Sequence, residues 1–69
     1  GPSPAVFNAA NEQAVDAFHE GRLPFTGIVD TVTRVVESHE SEGALTRESL
    51  FEAERWARVA ADAAIASGR

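Results

Sequence analysis

The sequence predicts an all-α fold, a small antiparallel bundle of three main helices with room for one short extra turn in a loop. Three observations carry this reading. Apolar residues recur at helical rather than strand spacing in three separate segments. Capping residues open these segments and glycine or proline closes them. The links between them are short, which favours antiparallel neighbours. A chain of 69 residues holds one domain at most, and its core is thin, because a domain this small buries roughly 60% of its unfolded surface.

Gly1-Pro2 reads as the remnant of a cleaved tag, with Ser3 as a third such residue, which leaves residues 4–69 as a single domain. The first helix runs from about Pro4 to Glu20. Pro4 suits the first turn, and Ser3 is placed to cap it. Asn8 competes as a start, because asparagine is also a good N-cap. Phe7, Ala10 or Asn11, Ala14 and Phe18 fall on one face and are the expected core positions, and Gly21 supplies a left-handed C-cap. In the connector that follows, Pro24 holds Leu23 extended, and Leu23 and Phe25 are expected to pin this corner to the core.

The second helix is expected from about Gly27 to Ser38 or His39, capped by Thr26. Ile28, Val29, Val32, Val35 and Val36 form its apolar stripe, with Asp30, Thr31, Arg34 and Glu37 facing away. The segment is rich in β-branched residues, yet its period is 3.6 rather than 2, so helix is chosen over strand. Ser41-Glu42-Gly43 marks a loop. The third helix is expected from Thr46 or Arg47 to Ala66, with Thr46 as cap and Glu48 and Glu52 near the positive end of its dipole. Leu50, Ala53, Ala57, Ala60 or Ala61, and Ala64 make its buried face, Phe51 and Trp56 flank it, and Gly68 ends it.

Composition excludes several classes of function. There is no cysteine, which removes disulfides, thiolate metal sites and thiol nucleophiles. The net charge is −5, and the six arginines at 22, 34, 47, 55, 58 and 69 are scattered among acidic neighbours. A nucleic-acid binder needs a clustered basic face, so neither nucleic acid nor an anionic membrane is an expected partner. No stretch has the roughly 20 apolar residues of a membrane span, and a cytoplasmic location is the default expectation.

The candidate chemical groups read as structural. His19 and His39 end the first two helices, where an imidazole complements the dipole. Glu48, Glu52 and Arg55, and the pair Glu54–Arg58, have the spacing of solvated helix-surface ion pairs. No phosphate loop, nucleophile elbow or lysine is present, so the sequence offers no catalytic, cofactor-binding or metal-binding residue. Four structural residues stand out. Asn8 and Asn11 are poor helix-interior residues that need hydrogen-bonding reasons. Phe18 and Trp56 are bulky anchors, and the Trp56 indole N–H calls for a partner wherever it is buried.

The run Pro4-Ala5-Val6-Phe7-Asn8-Ala9-Ala10-Asn11-Glu12, continuing through Ala14-Val15-Asp16-Ala17-Phe18 and Gly21-Arg22-Leu23-Pro24-Phe25, closely resembles the start of the C-terminal helical domain of 1-deoxy-D-xylulose-5-phosphate reductoisomerase. Glu54-Arg55-Trp56-Ala57-Arg58 resembles the last helix of actinobacterial members. The first 25 residues are the specific part, and His19 stands where many relatives carry leucine. The resemblance implies an enzyme of the non-mevalonate isoprenoid pathway. It converts 1-deoxy-D-xylulose 5-phosphate to 2-C-methyl-D-erythritol 4-phosphate with NADPH and a divalent metal, magnesium or manganese. It also implies that the nucleotide, metal and phosphate sites lie in other domains, so none of the family's site residues maps onto this sequence. The expected role is that of a non-catalytic support domain whose partners are the remaining domains of the parent, with weak self-association when it stands alone. The rival reading is a free-standing helical protein-interaction module, and a helix-turn-helix DNA binder is disfavoured by the charge.

Overall fold

The computed structural model describes residues 3–42 and 49–68. It contains three helices, α1 (Pro4–His19), α2 (Thr26–Ser41) and α3 (Leu50–Ala66). All regular structure among the described residues is helical, in agreement with the expected class. Contacts along the helices fix their directions. Phe18 meets Phe25, and His39 meets Trp56, so consecutive helices are antiparallel. Gln13 reaches Asp62, and Leu23 lies beside Ile65, so α1 and α3 run parallel in an up-down-up bundle. Packing between α1 and α3 is the most extensive of the three pairings.

The helix ends follow from local chemistry. Ser3 caps α1 by accepting a hydrogen bond from the Val6 N–H at 3.4 Å, with Pro4 in the first turn. The alternative start at Asn8 is therefore excluded, and Asn8 lies inside the helix. At the other end Glu20 is the C-cap, and Gly21 has φ +78°. The Arg22 N–H donates to the Ala17 carbonyl and the Gly21 N–H to that of Phe18, the paired bonds of a Schellman turn.

α2 differs from expectation at both ends. Phe25, already helical in φ and ψ, is its N-cap, and no side chain caps it. The Pro24 carbonyl accepts the Gly27 N–H at 2.8 Å and that of Phe25 accepts the Ile28 N–H, so the connector winds directly into the helix and Thr26 falls in its first turn. The helix continues to Ser41, so Ser41 is helical and Glu42 is the C-cap. The expected cap Thr46, along with Gly43, Arg47 and Glu48, lies outside the described residues. α3 instead starts at Leu50 with Ser49 as its cap in a complete capping box. Ser49 Oγ accepts from the Glu52 N–H at 3.1 Å, and Glu52 Oε1 accepts from the Ser49 N–H at 3.0 Å. Ser49→Ala is expected to cost about 1 kcal/mol, read as a lower melting temperature by circular dichroism. An unchanged melt would show that the box adds nothing.

The core is made of small residues. Ala5, Val6, Ala9, Ala10, Ala14 and Ala17 of α1 are buried together with Ala53, Ala57, Ala61 and Ile65 of α3, Val32 and Val35 of α2, and Leu23 of the connector. This corrects several expected core positions. Phe7 is 49% and Phe18 36% exposed. Because α1 touches both other helices, its buried arc covers half its circumference, and the two phenylalanines fall at the edge bordering α2. On α2 the buried arc is rotated toward Gly27 and Thr31, because this helix must also face α3. Val29 is therefore 69% exposed, while Thr31, expected to face outward, is 1% exposed. Leu23 is buried as predicted, but Phe25 is 71% exposed. Leu50 is in phase with the buried stripe of α3 yet exposed as its first residue, Ala60 and Ala64 are half-buried, and Ala61 is fully buried.

Thr31 brings a cost with it. Its Oγ1 is buried and has no hydrogen-bond partner. An unsatisfied buried hydroxyl costs about 1–3 kcal/mol. Thr31→Val keeps the shape and removes the orphan atom, so it is expected to stabilise the domain by about 1 kcal/mol. A thermal melt that fails to rise would mean that the hydroxyl has found a partner.

Candidate functional site

Among the described residues a hollow, a polar brace and an apolar face bring together groups that could bear chemistry. The first is a hollow of about 250 Å3 at the end of the bundle, lined in part by Arg22, Leu23, Gly27, Asp30 and Ile65. Its cation is engaged. Arg22 donates from Nε at 3.0 Å and from Nη2 at 2.6 Å to Glu20 Oε1. With Asp30 as the other charged group, the hollow does not suit a phosphate.

The second is a polar brace across α1 and α3. Arg58 donates from Nη2 to Glu12 Oε1 at 2.8 Å and from Nη1 to Gln13 Oε1 at 2.9 Å. Gln13 Nε2 in turn donates to Asp62 Oδ1 at 2.8 Å. The helix-surface pairing expected between Glu54 and Arg58 thus gives way to a bridge between helices, with Glu54 contributing only field. The hydrogen bond that Arg58 donates to Glu12 is the main reason its guanidinium is held above its ordinary pKa, partly opposed by desolvation. A raised folded-state value means that the contribution of the brace is full below the unfolded arginine pKa and is lost only as pH rises through the folded one. Arg58 therefore stays charged across the physiological range. Its side chain is 39% exposed and that of Glu12 62%, so the ion pair itself is worth at most about 1 kcal/mol.

The third is the face formed by α1 and α2. Phe7, Asn11, Ile28, Val29, Val32 and Thr33 line a hollow of about 120 Å3, and none of them is charged. One bundle end of this face carries Phe18 and Phe25, packed edge-on with ring centroids 5.7 Å apart.

The four residues singled out from sequence are not gathered in one place. Asn11, half-buried, and Phe18 share the α2-facing edge of α1, whereas Asn8 is exposed elsewhere on that helix. Neither asparagine side chain makes a hydrogen bond among the described residues, so capping explains neither of them. Trp56 is half-buried against the core and tilts over His39 at 5.2 Å. Local spacing gives no sign of the Arg58 brace, because its partners lie 45 and 46 residues away in the chain. Nor does it give any sign that Phe7, Phe25 and Val29 lie at the surface.

The resemblance carried by the sequence implies a divalent metal and NADPH for the parent enzyme. Among the described residues no cluster of three or more His, Cys, Asp or Glu is placed to hold a metal ion. The sequence has no glycine-rich phosphate loop, and the Arg22 of the hollow at the bundle end is committed to Glu20.

Fold and polar groups together define an all-helical domain whose hydrogen-bonding side chains serve to fix helix ends and hold helices together. The chain belongs to the DXP reductoisomerase C-terminal domain family, whose model matches residues 1–60. It is 66% identical over 62 residues to a 1-deoxy-D-xylulose 5-phosphate reductoisomerase of Leifsonia xyli subsp. xyli, a match covering 90% of this chain and 17% of that protein. The proteins of the same name from Paenarthrobacter aurescens and Kitasatospora griseola are 62% and 59% identical, over 81% and 88% of this chain and 14% and 17% of their own lengths. The chain thus spans about a sixth of the length of these relatives. No solved structure matches it.

Proposed function

We propose that this domain is a non-catalytic structural support at the C-terminal end of a reductoisomerase that converts 1-deoxy-D-xylulose 5-phosphate to 2-C-methyl-D-erythritol 4-phosphate. In this reading NADPH and the divalent metal are held by the preceding domains, which are also the partners of this one, and the enzyme works in the cytoplasm. The observation that carries the proposal is the family match over residues 1–60, joined to side-chain contacts among the described residues that brace helices and cap their ends. Asn8, Asn11, Phe18 and Trp56 act as structural residues. No described helix is long and apolar enough to cross a membrane, which is compatible with the cytoplasmic assignment.

The test removes the segment equivalent to residues 4–68 from a full-length reductoisomerase. The truncated enzyme is expected to melt at lower temperature than the intact one. Equal melting and equal turnover would refute a supporting role. In a second arm, the 69-residue chain is mixed with substrate, NADPH and magnesium. No oxidation of NADPH is expected, and measurable turnover would overturn the assignment of the chemistry to other domains.

A further inference from the structure

The large apolar side chains of this domain are distributed the wrong way round for a bundle that stands alone. Alanine dominates the interior, while Phe7, Phe18, Phe25, Val29, Leu50, Phe51 and Val59 are exposed. Four of these seven lie on the α1–α2 face, and they include three of the four phenylalanines in the chain. Together these side chains expose on the order of a few hundred Å2 of apolar surface, the scale that marks an interaction site. The hollow at the middle of this face has no charged lining residue although the domain carries a net charge of −5. Depletion of charge is the signature of an interface centre. On its rim Asn11 presents an amide with a donor and an acceptor, both without a partner among the described residues.

Two facts point to the occupant. In the Leifsonia relative the 62 matched residues make up 17% of the chain, so about 300 residues of the same polypeptide lie outside the match, and the family is that of a C-terminal domain. The chain enters α1 at Pro4, and Phe7 stands one turn further on, so a preceding domain arrives beside this face. A partner tethered this closely is present at high effective concentration, and a modest patch is enough to hold it. The α3 surface is less suited. Val59 is isolated there between Arg55 and Asp62, and Leu50 and Phe51 adjoin residues 43–48, outside the described part.

We infer that the α1–α2 face is the surface on which the preceding domain of the same polypeptide docks, placing an apolar side chain in the hollow between Phe7 and Val29 and a main-chain peptide group opposite the Asn11 amide. This inference rests on the support role proposed above and names its contact surface.

The experiment compares Val29→Glu with Val59→Glu, in both a full-length reductoisomerase and the 69-residue chain. Both positions are exposed in the isolated domain, at 69% and 64%. A glutamate in the first turns of α2 also suits the helix dipole. The isolated chain should therefore melt as before with either change. In the full-length protein Val29→Glu is expected to lower the melting temperature by about 5 °C or more and to speed hydrogen exchange across α1 and α2, whereas Val59→Glu is expected to have no effect. If Val29→Glu is silent there while deletion of the whole domain is destabilising, the face is wrongly assigned and the support role stands. If the deletion is silent too, both fall. Should Val29→Glu instead turn a dimer of the isolated chain into a monomer and leave the full-length protein unchanged, the occupant is a second copy and the inference is overturned.

Discussion

Ala57→Leu is expected to lower the melting temperature of this domain by more than 10 °C, while Ala63→Leu on the same helix leaves it nearly unchanged. Ala57 is 0% exposed at the interface between α3 and α1, and so are Ala10, Ala14 and Ala61. Its chain neighbour Arg58 reaches Glu12 and Gln13, which sets Ala57 at the level of the middle of α1. An interface of alanines lets two helices approach closely, and its stability comes from dense contact rather than from large buried side chains. Leucine adds three carbon atoms where no room exists, so the helices must separate or the side chain must leave its rotamer. Overpacking of this kind costs about 1–3 kcal/mol and sometimes more. A domain of this size has only about 3–5 kcal/mol of stability to lose, and each kcal/mol moves the midpoint by about 4–8 °C. Ala63 is exposed, so the same substitution there changes only surface. Equal melting of the two variants would show that the α1–α3 interface is loose, and the close-packing argument would fail.

That interface also shows what the sequence could and could not reveal. The three helices were legible because each segment carries a 3.6-residue period, a break on either side and capping chemistry at its ends. Gly21 is the clearest case, since a glycine after a run of helix formers specifies the left-handed turn that the structure contains. The buried faces were less legible. Helical spacing favours Phe7, Phe18 and Val29 for the core, and apolar character favours Phe25, because burying a large apolar group gains most. In this bundle α1 contacts two helices at once, and the gain from close approach selects alanine instead. Periodicity locates a stripe but not its centre when two partners share a helix, so Thr31 was placed on the wrong side. The brace from Arg58 to Glu12 and Gln13 was out of reach for another reason: local spacing matches Arg58 to Glu54, and only the parallel register of α1 and α3 brings Glu12 closer. The resemblance carried by Asn8-Ala9-Ala10-Asn11-Glu12, by contrast, was legible in residue order alone and agrees with the family match.

Gly27→Val is expected to destabilise the domain by about 3 kcal/mol, for a reason that lies in the connector rather than in the backbone of α2. A Cβ at this position would come within 2.6 Å of Leu23 Cδ1 and 2.9 Å of Leu23 Cγ, with Pro24 Cδ at 3.4 Å. The first two distances are overlaps. Cγ is not the free end of a side chain, and Leu23 is 7% exposed, so relief requires pulling a buried leucine out toward the hollow beside Ile65. Glycine's usual handicap in a helix, about 1 kcal/mol against alanine, works in the opposite direction and makes Gly27→Ala the milder change. Valine adds two methyl groups to the overlap and brings less of that compensation. Gly21 provides the contrast. Nothing lies within 4 Å of its Cβ position, and only its φ of +78° penalises a side chain, so Gly21→Ala should cost about 1–2 kcal/mol of backbone strain alone. A double-mutant cycle separates the two causes. Leu23→Ala alone is expected to cost about 2–5 kcal/mol as a cavity, but less in the Gly27→Val background, where the deleted atoms are the ones in conflict. Melting data in which the two changes simply add would show that Leu23 and Gly27 do not compete for the same space, and would place the strain elsewhere in the turn.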